Sequence, residues 1–279
     1  MMPLATALAL LLQVGPDPTS GAIPDYSAEI QDRPPRDAQA AQPPASWLSE
    51  CFELIDSDPA RAHVLAQMRR DGTSGDERIL ANHCLGLAAT GLERWDEAFA
   101  AFLAARDEVP REDPRMRARL GAMAANARLA AGDTQGALVL LDEAIADARA
   151  GSAGDIAAFA LIDRARALVT LGDLAAAEAA LAEARVLRPD DGEARLLSAA
   201  LLRRLGRLAE AQEQIAEAAR VAPGDPQVAL EAGVIAALGG RDEAARASWQ
   251  SVLAIAPESS EAESARAYLR QLGPAPDAP

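Results

Sequence analysis

Residues 171–189, LGDLAAAEAALAEARVLRP, and residues 205–223, LGRLAEAQEQIAEAARVAP, agree in residue type at their Gly, Ala, bulky apolar and closing Pro positions, 34 residues apart. A recurrence at that period marks one small supersecondary unit used repeatedly. Such a unit cannot bury its apolar face alone and must stack on its neighbours. Anchored on the Gly and the Pro, residues 158–191, 192–225 and 226–259 form three contiguous units. Gly172, Gly206 and Gly240 fall at unit position 15, Ala177, Ala211 and Ala245 at position 20, Leu181, Ile215 and Trp249 at position 24, and Pro189, Pro223 and Pro257 at position 32. Upstream, 118–151 carries Gly132, Ala137, Leu141 and Ala144 without the Pro, and 79–112 carries Gly86, Trp95, Ala98, Phe102, Ala105 and Pro110. Insertions near Asp113–Arg117 and Gly151–Ala157 set each of these two units apart from the next one in the chain.

The residues between the anchors favour helix. Half of the 279 residues are hydrophobic but only 3% are aromatic. Alanine dominates the apolar set, and alanine has the highest helix propensity, whereas β-branched and aromatic strand formers are scarce. The expected fold class is all-α.

The 34-residue spacing and its anchors resemble the tetratricopeptide repeat family. That resemblance implies a right-handed α-solenoid in which each unit is a helix A, a turn and a helix B, with small residues at positions 20 and 27 where the helices cross. Gly at 15 supplies the turn and Pro at 32 stops helix B. Two departures stand out. Position 8 is Gly only at Gly86 and Gly233, and the family's Tyr at position 11 is Ala89, Arg128, Leu168, Leu202 and Ala236. Residues 46–78 read as a degenerate first helical pair, with Asp58 as N-cap and Pro59 as the first helical residue. Residues 260–272 read as a capping helix and 273–279 as a disordered tail.

At the N-terminus, residues 1–15 (MMPLATALALLLQVG) have the length of a signal-peptide apolar core and are too short to span a bilayer. Residues 16–45, rich in Pro, Ala and polar residues, read as a flexible linker. Export, to the bacterial periplasm or beyond, is therefore expected, the alternative being a cytoplasmic protein with a frayed hydrophobic tail, and the mature chain is expected to have no stable membrane insertion.

The formal charge is −15, and all 27 basic residues are Arg. Affinity for nucleic acid rests mainly on cations that displace phosphate counterions, so this balance argues against such a partner. No phosphate loop, nucleophile elbow or H-E-x-x-H is present. The chain is expected to be no enzyme and to need no cofactor. Cys51, His63, His83 and Cys84 lie close in sequence but lack the tight ligand pairs of structural zinc sites. Cys51 and Cys84, expected near the middle of successive A helices, are a candidate disulfide, the alternative being two buried free thiols.

Helix A lines the concave groove in the resembled family. Summed over five helix A windows the formal charge is +6, and over five helix B windows it is −8. The candidate groove residues are His83, Arg119, Asn126, Phe159, Ile162, Arg166, Leu196 and Arg203, at unit positions 2, 5, 9 and 12. A basic groove would favour an acidic segment or a free carboxylate. Helix B acids such as Asp133 and Asp173 equally suit helix starts. The Lys-Asn pair of chaperone-tail-binding members is His83 and Leu87 in one unit and Ala122 and Asn126 in the next, so that clamp is not reproduced. The expectation is a non-enzymatic scaffold holding a peptide or protein in its groove. A structural or oligomerising role through the convex face or the cap is the rival.

Overall fold

The computed structural model describes residues 46–273, in which thirteen helices follow one another with no strand. The expectations for residues 1–15 and 16–45, and for all but the first residue of 273–279, lie outside the described residues. The helices pair in chain order as α1 (Trp47–Ser57) with α2 (Pro59–Asp71), α3 (Asp76–Gly91) with α4 (Trp95–Glu108), and α5 (Pro114–Ala130) with α6 (Thr134–Ala150). Then come α7 (Gly154–Leu171) with α8 (Leu174–Leu187), α9 (Gly192–Arg204) with α10 (Leu208–Val221), and α11 (Pro226–Leu238) with α12 (Asp242–Ile255). A single helix, α13 (Ser260–Leu272), closes the α-solenoid.

Local chemistry sets these boundaries. Asp58, Asp113, Asp133, Asp173, Asp191 and Asp225 each precede a helix and accept a hydrogen bond from a first-turn backbone amide, which satisfies a donor that the helix itself leaves unpaired. Asp133 and Asp173 thus serve helix starts. The residues read as inserts are largely helical, because α5 starts at Pro114 and α7 at Gly154. Helix A there gains about one turn over the 13-residue α9 and α11.

Each A/B crossing closes on a fully buried alanine: Ala98, Ala137, Ala177, Ala211 and Ala245 are all 0% exposed. One turn away, positions 8 and 24 of each unit meet, and their sizes are matched. Where position 24 is Leu141, Leu181 or Ile215, position 8 is Ala125, Ala165 or Ala199. Where position 24 is Phe102 or Trp249, position 8 is Gly86 or Gly233. A Cβ on Gly86 would stand 2.5 Å from the Phe102 ring, and one on Gly233 would overlap the Trp249 indole. The second fit also brings Trp249 Nε1 to 3.2 Å from the Leu230 carbonyl, to which it donates. Both departures from the repeat pattern at position 8 are therefore steric partners of an aromatic ring.

This pairing makes Gly233→Ala destabilising although Ala is the better helix former. Overpacking costs ~1–3 kcal/mol, against a propensity gain of about 1 kcal/mol. In a double-mutant cycle with Trp249→Leu, urea unfolding should show favourable coupling above about 1 kcal/mol. Additivity of the two changes would show that these positions do not share a site.

Gly132, Gly172, Gly206 and Gly240 end their A helices with φ between 69° and 85°. In the 79–112 unit the same place is held by Glu93 at φ 56°, in the left-handed region that a side chain disfavours by ~1–2 kcal/mol. Glu93→Gly should therefore raise the stability of that unit by about 1 kcal/mol. A loss on thermal unfolding would mean that the Glu93 side chain contributes more than its backbone costs.

At the C-terminal end, α13 buries Ala262 and Ala265 against α12 and stacks Tyr268 on Trp249, ring centroids 5.2 Å apart. Its other face carries Glu263, Arg266 and Arg270, so the stack ends in a polar surface. Among the described residues no helix is long and apolar enough to cross a membrane.

Candidate functional site

The A helices α5, α7 and α9 place two hollows side by side. The first, a cleft of about 520 Å³, lies between α5 and α7. Its apolar lining comes from Met116, Ala122, Met123, Ile156 and Phe159, and its polar lining from Asp113, Arg115, Arg119, Asn126, Asp155 and Asp163. Phe159 is 47% exposed, a large apolar ring left open to solvent, with the Arg188 guanidinium 4.1 Å from its centroid. The second hollow, about 330 Å³, lies between α7 and α9. Val169, Leu181, Leu197, Ala200 and Leu201 line it, with Arg166, Arg203 and Arg204 among its wall residues.

Ion pairs run across the A helices from one unit to the next. Arg115 donates to Asp155 at 2.8 Å, Arg203 donates to Glu231 at 2.6 Å, and Arg166 is paired both with Asp163, at 2.6 Å, and with Glu193. The sum of +6 along these helices already counts Asp163, Glu193 and Glu231. What offsets it is pairing with acids outside the A-helix sum: Arg115 with Asp155, Arg117 with Asp147, Arg128 with Asp96 and Arg164 with Asp142. Among the described residues, Arg119 and Arg204 meet no acceptor. Two guanidiniums at the hollows are therefore unpaired, whereas Arg166 and Arg203 are paired.

The predicted groove residues separate into two groups. Arg119, Asn126 and Phe159 share the α5–α7 cleft, Arg166 and Arg203 belong to the α7–α9 hollow, and Leu196 is half-buried on α9. His83 and Ile162 are not groove residues. Ile162, 1% exposed, is core. His83 is 9% exposed, with the Phe52 ring of α1 edge-on at 5.9 Å and the Phe102 ring at 6.3 Å. Burial, with a smaller contribution from Arg119, lowers the His83 pKa to about 4, so the ring is neutral at pH 7 and its Nε2 has no partner. Arg185, which lies on helix B, is also no free surface charge: it donates to Ser198 of α9, and burial holds its pKa below the ordinary value.

Cys51 of α1 and Cys84 of α3 meet sulfur to sulfur, Cα atoms 6.5 Å apart and both side chains fully buried. His63 hydrogen-bonds Glu97 at 2.7 Å across α2 and α4, well apart in role from His83. Among the described residues no cluster of three or more His, Cys, Asp or Glu could hold a metal ion.

Sequence reasoning missed Met116, Met123, Leu197 and Arg204. Met123 and Leu197 sit at unit position 6, one helical turn after position 2, and so share its stripe with positions 5 and 9. An open apolar residue at that spacing was the available signal. Met116 falls outside the 34-residue frame, in the extra first turn of α5.

The tetratricopeptide repeat family model matches residues 168–238. No curated protein sequence matches the chain. Among solved structures, the fold is similar to PilW, a widely conserved type IV pilus biogenesis factor, at 18% identity with a TM-score of 0.63, covering 78% of this chain and 96% of that one. It is also similar to PilF of Pseudomonas aeruginosa, at 14% identity and a TM-score of 0.62, with 80% and 96% covered. BtubC of P. vanneervenii follows at 15% identity and a TM-score of 0.57, with 83% and 91% covered. Residues 168–238, from the end of α7 through α11, thus carry the tetratricopeptide repeat, and the same helix pairing on either side gives the described residues the fold of a tetratricopeptide repeat solenoid.

Proposed function

We propose that the chain is a non-enzymatic scaffold, exported to the bacterial envelope, that binds a peptide or protein segment along its A helices, with the α5–α7 cleft at the centre. The observation that carries this reading is the cleft itself, where an exposed aromatic ring, two methionines and an uncompensated guanidinium converge. Apolar contact supplies affinity there, and Arg119 selects a carboxylate, because its charge is not already spent on a neighbour. The acidic preference thus rests on Arg119 and no longer on Arg166 or Arg203. Export is supported by the buried Cys51–Cys84 contact, a pairing that persists as a disulfide in oxidising compartments.

Selection of a displayed random-peptide library on the purified chain should enrich acidic segments. Arg119→Glu should weaken their binding about tenfold or more, and Val139→Glu on the exposed face of α6 should leave it unchanged. Binding indifferent to Arg119→Glu, or cross-links from bound peptides to Val139 and Val186 on the B helices, would replace the groove with the rival convex-face role.

A further inference from the structure

A third hollow, of about 590 Å³, is lined by α2, α3, α4 and the turn after α2, and it shares no lining residue with the two on the A-helix face. Its buried residues are Asn82 and Leu85 of α3 and Ala101 of α4, while Ala100 and Ala104 of α4 are exposed. Its charged lining is Arg70, Asp71, Arg78, Glu97 and Glu108. Asn82 is only 3% exposed, and among the described residues its amide meets no hydrogen-bond partner. Buried polar groups are nearly always paired, so an unpaired amide lining an open hollow points to a group that arrives from outside.

The next unit contains the same arrangement with its group in place. In the repeat register Arg78, Asn82, Ala104 and Glu108 correspond to Arg117, Gly121, Glu143 and Asp147. There Arg106 of α4 lies over Gly121, its Nε 3.2 Å from where a Cβ would stand. Its guanidinium pairs with Glu143 at 2.9 Å and with Asp147 at 3.1 Å, and Asp147 also takes Arg117 at 3.7 Å. In the earlier unit the matching residue of α2 is Arg70, as far from Pro59 as Arg106 is from Trp95, and it donates to Asp71 at 2.9 Å instead. Among the described residues Glu108 pairs with Arg78 alone, so the acid that serves two guanidiniums in one unit serves one in the other.

We propose that the α2–α4 hollow takes an arginine side chain from a protein partner, its guanidinium over the Asn82 amide and paired with Glu108. The Arg106 Nε–H above Gly121 has no acceptor, and the Asn82 amide oxygen supplies one at the matching place. Glu108 keeps acceptor capacity beside Arg78, because a carboxylate offers about four lone-pair sites. Glu97 is already engaged by His63 at 2.7 Å and Arg94 at 3.6 Å, which leaves Glu108 as the pairing acid. The lining sets two arginines against three acids, so one added guanidinium balances it. Lysine suits the place less: its ammonium is compact and strongly hydrated, whereas a flat guanidinium can bond an amide oxygen and a carboxylate together.

Fluorescence anisotropy with a labelled Gly-Ala-Arg-Ala-Gly peptide, and with lysine or citrulline replacing its arginine, tests this. The arginine peptide should bind about tenfold tighter than the other two. Asn82→Leu and Glu108→Gln should each lower it to the level of the lysine peptide. Ala104→Glu, at an exposed position, supplies the counterpart of Glu143 and should widen the preference for arginine over lysine about threefold; it keeps the test decisive if Asn82→Leu fails to fold by circular dichroism. In a nitrogen–proton NMR correlation spectrum the Asn82 side-chain amide should shift with the arginine peptide and stay in place with citrulline. Equal binding of the arginine and lysine peptides reduces the effect to attraction by an acidic chain and overturns the proposal. No binding, an arginine preference indifferent to all three substitutions, or an unmoved Asn82 amide overturns it too and leaves the hollow to water. If N-acetylarginine amide binds as tightly as the peptide, the site serves free arginine and the protein partner is overturned.

Discussion

The folded chain is expected to lose on the order of 3 kcal/mol of stability as pH falls from about 6.5 to about 4, through His83 alone. Its imidazole sits between Phe52 and Phe102 with an unpartnered Nε2, and its pKa is lowered to about 4, first by burial and then by Arg119. In that interval the unfolded chain holds a proton on His83 that the folded chain does not, so each fall in pH favours unfolding. Above about 6.5 the contribution is constant, and below about 4 both states are protonated and no further loss arises from this group. His83→Leu keeps an apolar side chain between the two rings and removes the titration. The difference between the parent and variant stability profiles should then carry the whole window, and imidazole proton shifts should give a midpoint near 4 for His83. A midpoint above about 5.5, or parallel profiles, would place the ring in contact with solvent.

Reduction of the Cys51–Cys84 pair should loosen the first helical pair and leave the rest of the solenoid as it was. The bridge spans 33 residues, and closing a loop of that size restricts the unfolded segment by about 3–4 kcal/mol in the chain-entropy account. In a repeat stack each unit contacts only its neighbours, so the loss stays local. Amides of α1 should exchange with solvent about a hundredfold faster after reduction, and those of α9 through α12 should not change. The result that sinks this expectation is a uniform acceleration along the chain, or free thiols titrated in denatured protein purified without reductant.

How much of this was legible beforehand differed with the origin of each feature. The left-handed turns at Gly172, Gly206 and Gly240 and the caps at Asp58, Asp133 and Asp173 are local, set by residues within a few positions, and sequence reading reaches them. Glu93 was missed because it adopts the glycine conformation without being glycine. His83 occupies a groove position by count, yet Phe52, from the degenerate first pair, lies against it and takes the opening away. The charge sum along the A helices was correct as a sum and misleading as chemistry. Arg166 and Arg203 find Glu193 and Glu231 on the next A helix, and no count within one helix shows which charges will meet.

The match between positions 8 and 24 bears on how such a chain can grow. Gly86 with Phe102, Ala199 with Ile215 and Gly233 with Trp249 are each contained in one helix pair. A gene segment encoding a whole pair can therefore be duplicated or exchanged without creating a collision at this crossing. A recombination joint in the turn between the two helices would set Ala199 against Trp249 or leave Gly233 above Ile215, one a clash and the other a void. Tandem expansion is thus tolerated at the boundaries after helix B and penalised inside the hairpin, so the inherited module is helix A followed by its own helix B.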